Sequence, residues 1–344
     1  MSINNFLSQT NKSQISKSIW KVLFVLTFAI AILFNGCSQT QELKTMRVGM
    51  NSWPGYSIAL YAKEAKLFEK RGLNVELIRF NNQQDNIRAT IRGAQDMSFV
   101  PLWEVMQVDS NNDKPVIVLV ADISAGSDGI VARAGIESVK DLKGKKVGAK
   151  LSTVTHLILL EALKSQQLKP EDVEIQDVSN ERGIELLKAG KLDAAVVWEP
   201  SLSKAAKQIG GKVIFTTKDV DSLVIDSLVT GANTMKSNQE SVTKFIMAWF
   251  DAIHAVNTIP DQVFESIGRQ IKQTKETAAI DYAGLKKGDI AMNQRMFAPN
   301  GRLQEATKES AKLLREDLRH GRIIRDDVEI NPTPLLAAIK DWKP

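Results

Sequence analysis

The chain has 344 residues, of which 43% are hydrophobic and 25% are charged, and it is long enough for two domains of ordinary globular composition. Its formal net charge is +5, but three of its 45 basic residues fall in an amino-terminal segment without acids, and the other 42 against 40 acidic residues leave +2. No basic cluster with interleaved aromatic residues follows that segment, so we predict no nucleic-acid partner.

Residues 1–37 have the pattern of an export signal. Three lysines and no acids precede an apolar run at 22–34, which is shorter than the roughly 20 residues of a bilayer-spanning helix. A short membrane anchor is the alternative. The run ends in Leu-Phe-Asn-Gly-Cys at 33–37, which is similar to a bacterial lipobox. We therefore predict a signal peptide and lipobox at 1–37, with Cys37 as the lipid-modified mature N-terminus, and ordinary cleavage nearby as the alternative.

Cys37 is the only cysteine in the chain. The mature protein therefore has no disulfide, no cysteine metal site and no thiol nucleophile in its body. The three histidines, His156, His254 and His320, are far apart and have no metal-ligand spacing. We predict neither a metal nor a cofactor.

From residue 46 onward, strand and helix patterns alternate. The predicted elements are a strand at 46–50, a helix at 58–70 that ends before Gly72, a strand from 73 to 80, a helix that ends near Gly93 and a strand at 97–102. Loops rich in turn-forming or polar residues separate them, at 51–56 and 81–85. This alternation predicts a parallel sheet.

The same pattern returns about 97 residues later, which indicates an internal repeat. Val-Glu-Ile at 173–175 corresponds to Val-Glu-Leu at 75–77, and the apolar segment from Ala194 to Pro200 corresponds to 97–103. A strand at 144–149 opens through Ser152 into a further helix. Because ligands of open parallel sheets lie beyond the carboxyl ends of the strands, two such units predict a site in the cleft between them.

Four segments carry a family resemblance: Trp-Pro-Gly-Tyr at 53–56, Leu-Phe-Glu-Lys-Arg-Gly-Leu-Asn-Val-Glu-Leu at 67–77, Asp-Leu-Lys-Gly-Lys-Lys-Val-Gly at 141–148 and Leu-Asp-Ala-Ala-Val-Val-Trp-Glu-Pro at 192–200. Together they resemble the nitrate/sulfonate/taurine/bicarbonate class of periplasmic solute-binding proteins. The resemblance implies an α/β, two-lobed type II periplasmic binding protein fold, with parallel-type sheets flanked by helices and two hinge crossings.

The resemblance also implies the domain organisation. Lobe 1 comprises residues 45–122 and is completed by 229–344 with the C-terminal helices, while lobe 2 comprises 123–228. The chain crosses outward at 120–131 and back at 224–232. A helical pattern from Gln239 to about Asn257 is readable independently of the resemblance.

The function that the resemblance implies is that of an extracytoplasmic lipoprotein of an ABC importer, monomeric and not an enzyme. It captures a small polar organic solute, such as a sulfonate, an amine-bearing anion or a related nitrogen or sulfur compound. Its partners are that solute, an ABC permease of the inner membrane and, through the lipid, the periplasmic side of the cell membrane. The alternatives are an enzyme on the same fold, of the pyrimidine or menaquinone precursor type, and a ligand-sensing protein for a membrane receptor.

Candidate ligand-binding residues in lobe 1 follow the ends of its strands. Trp53 and Tyr56 flank Gly55 after the first strand and offer aromatic surface to a ligand, with packing of Trp53 under the loop as the alternative. Residues 82–84 follow strand two and residues 102–104 follow strand three, and we expect at least one residue of each group to face the cleft. The candidates selected from these groups are Asn82, Gln83, Leu102 and Trp103.

The remaining candidate residues suggest that the ligand carries both a negative and a positive group. Ser152 and Thr153 lie at a helix N-terminus, which favours an anionic group, with plain helix capping as the alternative. His156 follows them and is either a cleft residue or structural. Acids at the hinge or at strand ends near Trp198, which suit an ammonium or amidine group, are Asp122, Asp128 and Glu199.

Overall fold

The structure is a computed structural model, which describes residues 43–109 and 113–344. The predicted signal peptide and Cys37 lie outside the described residues. Within the described part of the chain, no helix combines the length and the apolar character needed to cross a membrane.

Twelve strands and thirteen α-helices carry the fold of this part of the chain. The strands are β1 Lys44–Met50, β2 Leu73–Arg79, β3 Met97–Pro101, β4 Pro115–Ser124, β5 Asp128–Ala132, β6 Lys146–Ala149, β7 Glu174–Asp177, β8 Ala194–Trp198, β9 Lys212–Thr216, β10 Ile225–Gly231, β11 Leu285–Lys287 and β12 Glu329–Ile330. The helices are α1 Ile58–Glu64, α2 Leu67–Lys70, α3 Gln83–Ile91, α4 Leu102–Val105, α5 Val154–Ser165, α6 Asn180–Lys188, α7 Ser201–Ile209, α8 Ala232–Thr258, α9 Pro260–Ile271, α10 Lys275–Ala283, α11 Ile290–Met296, α12 Arg302–Glu316 and α13 Thr333–Asp341.

The strands form two separate mixed sheets. The first has the order β11-β4-β10-β3-β1-β2, with β12 beside β4, and the second has the order β7-β6-β8-β5-β9. The strand–helix–strand units are parallel, as predicted: β1 pairs with β2 and β3, and β6 pairs with β7 and β8. The antiparallel strands β5 and β10 were not predicted. They arise because a chain that crosses between sheets enters the new sheet from the opposite end.

The two crossings between the sheets are short. The chain leaves the first sheet at the end of β4 and enters the second at β5, so the outward crossing is 125–127. It returns between β9 and β10, at 217–224. Residues 225–231, which we predict in the return crossing and partly in lobe 2, pair instead with β3 and β4 of the first sheet. We therefore propose lobe boundaries at 43–124, 128–216 and 225–344.

Local capping explains where the helices after β2 and β7 begin. The side chain of Asn82 accepts a hydrogen bond from the backbone N–H of Gln84 at 2.8 Å, and Ser179 caps α6 in the same way through the N–H of Arg182. The predicted polar loops at these places are thus already helix N-termini. The equivalent caps give the internal repeat a structural counterpart.

Aromatic residues fill the core on one face of the first sheet. Phe99 of β3 packs against Tyr56, Phe245 and Trp249, with ring centroids 5.3, 6.1 and 5.3 Å apart. Phe245 and Trp249 belong to α8. This helix is interrupted by a non-helical residue at Asn238, and its longer part begins where the sequence predicts a helix, at Gln239. This core holds the loop that contains Tyr56 against the carboxyl end of β3.

Candidate ligand-binding site

A cleft of about 570 Å³ lies between the two sheets, at the carboxyl ends of their parallel strands. This is the position expected for ligands of α/β sheets, and the volume is that of a small-molecule pocket. The candidate residues in its lining are Trp53, Tyr56, Asn82, Gln83, Asp128, Thr153 and Trp198. The exposed cations Arg79 and Lys150 also line it.

Of the three residues after β3, Glu104 lines the cleft, and the two selected candidates, Leu102 and Trp103, do not. Leu102 and Trp103 are buried in the core, with the ring of Trp103 edge-on to His156, and neither lines the cleft. The chain turns into α4 directly after Pro101, and this turn rotates both side chains inward. Glu104, two residues later than Leu102, lines the cleft instead.

The candidates at the start of α5 have partners within the protein. Ser152 donates a hydrogen bond to the carbonyl oxygen of His320 at 2.8 Å, and Nε2 of the buried His156 lies 2.9 Å from Oδ2 of Asp317. Neither Ser152 nor His156 lines the cleft. The backbone N–H of Val154, at the helix N-terminus where we predict an anionic group, donates to Oε1 of Glu104 at 3.2 Å. A carboxyl group of the protein itself therefore occupies this anion-binding position.

Glu199 also has a partner within the chain. Its carboxylate accepts hydrogen bonds from the backbone N–H of Ser203, at 3.2 Å, and from the hydroxyl of the same residue. The Glu199 side chain thereby caps the first turn of α7. Glu199 lines a smaller neighbouring cavity of about 220 Å³ rather than the larger cleft.

A cluster of four buried carboxyl groups lies at the inner end of the cleft, and its members are Glu104, Asp122, Asp128 and Asp226. We call this the carboxyl cluster. Each of these residues is at most 2% exposed. Asp122 of β4 and Asp226 of β10 are cross-strand partners. The cluster thus combines residues from α4, β4, β5 and β10, on both sides of the outward crossing.

Two aromatic side chains connect the loop after β1 to the carboxyl cluster. The indole N–H of Trp53 donates to Oδ1 of Asp122 at 3.0 Å, and the hydroxyl of Tyr56 donates to Oδ1 of Asp226. Asp122 does not itself line the cleft, but it accepts the hydrogen bond that holds the indole of Trp53. The position of Trp53 in the cleft wall is therefore fixed by a hydrogen bond as well as by packing.

Burial raises the proton affinity of the whole carboxyl cluster, because removal from water penalises the charged form. It raises the pKa of Glu104 to about 8 and the pKa values of Asp122 and Asp128 to about 7. The pKa of Asp226 is raised well above its ordinary value by burial and then by the neighbouring charge of Asp122. Among residues 43–109 and 113–344, no Lys, Arg or His forms an ion pair with any of the four.

The family described as NMT1/THI5 like matches residues 53–263. The chain belongs to this family. A protein of Brucella abortus (strain 2308) named only as a binding protein is 25% identical over 284 residues, which cover 80% of this chain and 88% of that protein. The taurine-binding periplasmic protein of Escherichia coli (strain K12) is 26% identical over 266 residues, covering 74% and 80%. The resemblance predicted from sequence is thereby confirmed.

Solved structures confirm the predicted fold of this NMT1/THI5-like protein. The periplasmic aliphatic sulphonate binding protein SsuA from Escherichia coli matches with a TM-score of 0.69 at 19% identity, covering 83% of this chain and 96% of that one. The desulfurization enzyme DSZB has the same fold, with a TM-score of 0.61 at 15% identity and coverage of 86% and 99%. The relatives by sequence are binding proteins, whereas the fold also occurs in an enzyme.

Asp226 was not predicted as a cleft residue of this NMT1/THI5-like chain, and Glu104 was predicted only as one member of the group 102–104, of which at least one residue faces the cleft. A signal for Asp226 exists, because it interrupts the apolar run Val-Ile-Asp-Ser-Leu-Val at 224–229, and an acid inside a buried strand needs a partner or a function. Asp122 interrupts β4 in the same way. Glu104 has no comparable signal, since one turn of helix decides which of residues 102–104 reaches the cleft.

Proposed function

We propose that the protein is the extracytoplasmic solute-binding component of an ABC importer, which captures a small polar organic solute between its two lobes. The solute class is that of sulfonates, amine-bearing anions and related nitrogen or sulfur compounds. The observation that carries the proposal is the cleft of about 570 Å³, lined by aromatic and polar side chains from the strand ends of both sheets. The relative named as a taurine-binding periplasmic protein supports it. The chain's partner in transport is then an ABC permease.

The proposed mechanism is closure of the two lobes around the solute, with the crossings at 125–127 and 217–224 as the hinge. We expect the radius of gyration from small-angle scattering to decrease when a solute found by a thermal-shift screen is added at saturation. The screen itself is sensitive, because binding to the folded state alone stabilises it by about 2.7 kcal/mol at a hundredfold excess over Kd. An unchanged radius at saturation contradicts hinge closure and favours a rigid, enzyme-like site.

We further propose that the protein acts as a monomer and is held at the periplasmic side of the cell membrane by a lipid on Cys37. The Cys37→Ser variant is expected to lose lipid attachment and to keep its fold, because residue 37 precedes β1. Metabolic labelling with a radioactive fatty acid measures the first property, and circular dichroism the second. Equal label on wild type and variant, or no label on wild type, contradicts the anchor.

A further inference from the structure

We propose that the inner end of the cleft binds a cationic group of the solute, an ammonium or amidinium, through the carboxyl groups of Glu104, Asp128 and Asp226. The solute is then an organic cation or a zwitterion, and not a simple alkanesulfonate. This inference rests on the proposed function, since it names the class of the solute that the cleft captures.

The three carboxyl groups converge on one cavity from three separate elements. Glu104 belongs to α4, Asp128 is the first residue of β5 and Asp226 is the second residue of β10, and all three line the same cleft. Each is at least 98% buried, and each has an oxygen without a hydrogen-bond partner in the described part of the chain. The cluster thus offers acceptor positions that the chain itself leaves unused.

A bound cation supplies what these carboxyl groups lack. Buried polar atoms are nearly always hydrogen-bonded, and a buried carboxylate without a partner is strongly unfavourable. An ammonium or amidinium donates several N–H bonds and neutralises charge at the same place. The aromatic side chains of Trp53, Tyr56 and Trp198 line the same cleft, and aromatic faces attract organic cations.

An inorganic cation fits this cluster less well than an organic one. Among the described residues, no group of three or more His, Cys, Asp or Glu side chains is arranged to hold a metal ion. The cleft of about 570 Å³ also has room for a molecule with a carbon skeleton. The size of the cleft and the lack of a metal-binding group among the described residues therefore both favour an organic cation.

An anionic group, by contrast, finds no place at the inner end. It would lie beside three carboxyl groups, and the N–H of Val154 at the start of α5 already donates to Glu104. The cations that line the cleft, Arg79 and Lys150, are exposed, and Lys150 is paired with Asp177 at 2.9 Å. A sulfonate or carboxylate end of a zwitterion would therefore point toward the outer part of the cleft.

The test compares small probes with and without a cationic group. Calorimetric titration of the purified protein uses 2-aminoethanesulfonate against ethanesulfonate, and benzamidine against its neutral isostere benzamide and the anion benzenesulfonate. We expect the member with the cationic group to bind at least tenfold more tightly in each set. Equal or tighter binding of ethanesulfonate or benzenesulfonate overturns the cationic class but leaves solute capture intact. Failure of every probe to bind at millimolar concentration overturns the proposed solute capture together with the inference.

Substitutions locate the effect within the cleft. Asp128→Asn and Asp226→Asn keep the shape of the side chain and remove its charge, and each is expected to weaken binding of the cationic probe at least tenfold. Glu185→Gln is the matched control, because it removes an acid on the surface of α6, 64% exposed and paired with Arg182, outside the cleft. Thermal unfolding verifies that each variant is folded. Wild-type affinity in both Asn variants contradicts the inference.

Discussion

The unliganded protein loses stability as the pH rises from about 5 to about 8. Glu104, Asp122 and Asp128 have pKa values of about 8, 7 and 7 in the folded state, against ordinary values of 4.5 and 3.8. Between the unfolded and folded pKa values, the folded state holds protons that the unfolded state has released. The free energy of unfolding therefore falls as pH rises through this window, and the decrease ends above the folded pKa values.

The expected decrease is large, because a tenfold change in proton affinity corresponds to about 1.4 kcal/mol. One carboxyl raised from 3.8 to about 7 therefore accounts for roughly 4 kcal/mol, and coupling within the cluster makes the contributions non-additive. We expect a total decrease of at least about 3 kcal/mol between pH 5 and pH 8. Asp317 acts in another pH range. Its pKa lies below the ordinary value despite burial, because His156 and Arg319 hydrogen-bond to it, so its contribution to stability is lost only in acid.

Urea unfolding followed by tryptophan fluorescence at pH 5, 6.5 and 8 measures this decrease. The variant Asp122→Asn/Asp226→Asn is expected to be more stable than wild type at pH 8 and to show a smaller pH dependence, since the amides cannot ionise. Glu185→Gln should keep the wild-type pH dependence. A stability that rises from pH 5 to pH 8 would mean that the carboxyl groups are ionised and stabilised in the free protein.

Gly55→Ala is the second substitution with a large expected effect. A Cβ atom at residue 55 would lie 1.9 Å from Oδ2 and 2.5 Å from Cγ of Asp122, a buried side chain that holds the indole of Trp53. The side chain of Asp122 must therefore move, and the indole N–H of Trp53 then loses its hydrogen-bond acceptor. We expect the free energy of unfolding to decrease by about 1–3 kcal/mol, the range for overpacking of a buried site.

A double-mutant cycle with Asp122→Ala identifies the cause. In that background the clash is absent, so the addition of Gly55→Ala should cost less than about 0.5 kcal/mol, which gives a coupling energy of at least about 0.5 kcal/mol. Gly183→Ala is the matched control. Gly183 lies in the interior of α6, and the nearest atom that its Cβ would meet outside the helix is Cγ2 of Val178 at 3.6 Å. We expect Gly183→Ala to increase the free energy of unfolding by about 0.5–1 kcal/mol. An additive cycle would mean that Gly55 is required for another reason.

Local patterns in the sequence are sufficient for the strand–helix units and for one wall of the cleft. The alternation of apolar periods predicts parallel β1–β2–β3 and β6–β7–β8, because each unit is formed by neighbouring segments of chain. Strand-end positions likewise predict Trp53, Tyr56 and Trp198 in the cleft lining, since parallel strands end at one edge of a sheet. These features depend on short-range order and on the rule for α/β sheets.

Asp122 and Asp128 were candidates from sequence, but their assembly with Glu104 and Asp226 into the carboxyl cluster was decided by the tertiary structure. Asp122 and Asp226 become neighbours only because β4 and β10 pair after the chain has passed through the second sheet. Glu104 replaces Leu102 and Trp103 in the cleft because α4 starts directly after β3, and a single helical turn reorients the side chains. Sequence periodicity determines which face of a segment is buried, but it does not determine which buried acids meet. That depends on long-range strand pairing and on the rotation of one short helix.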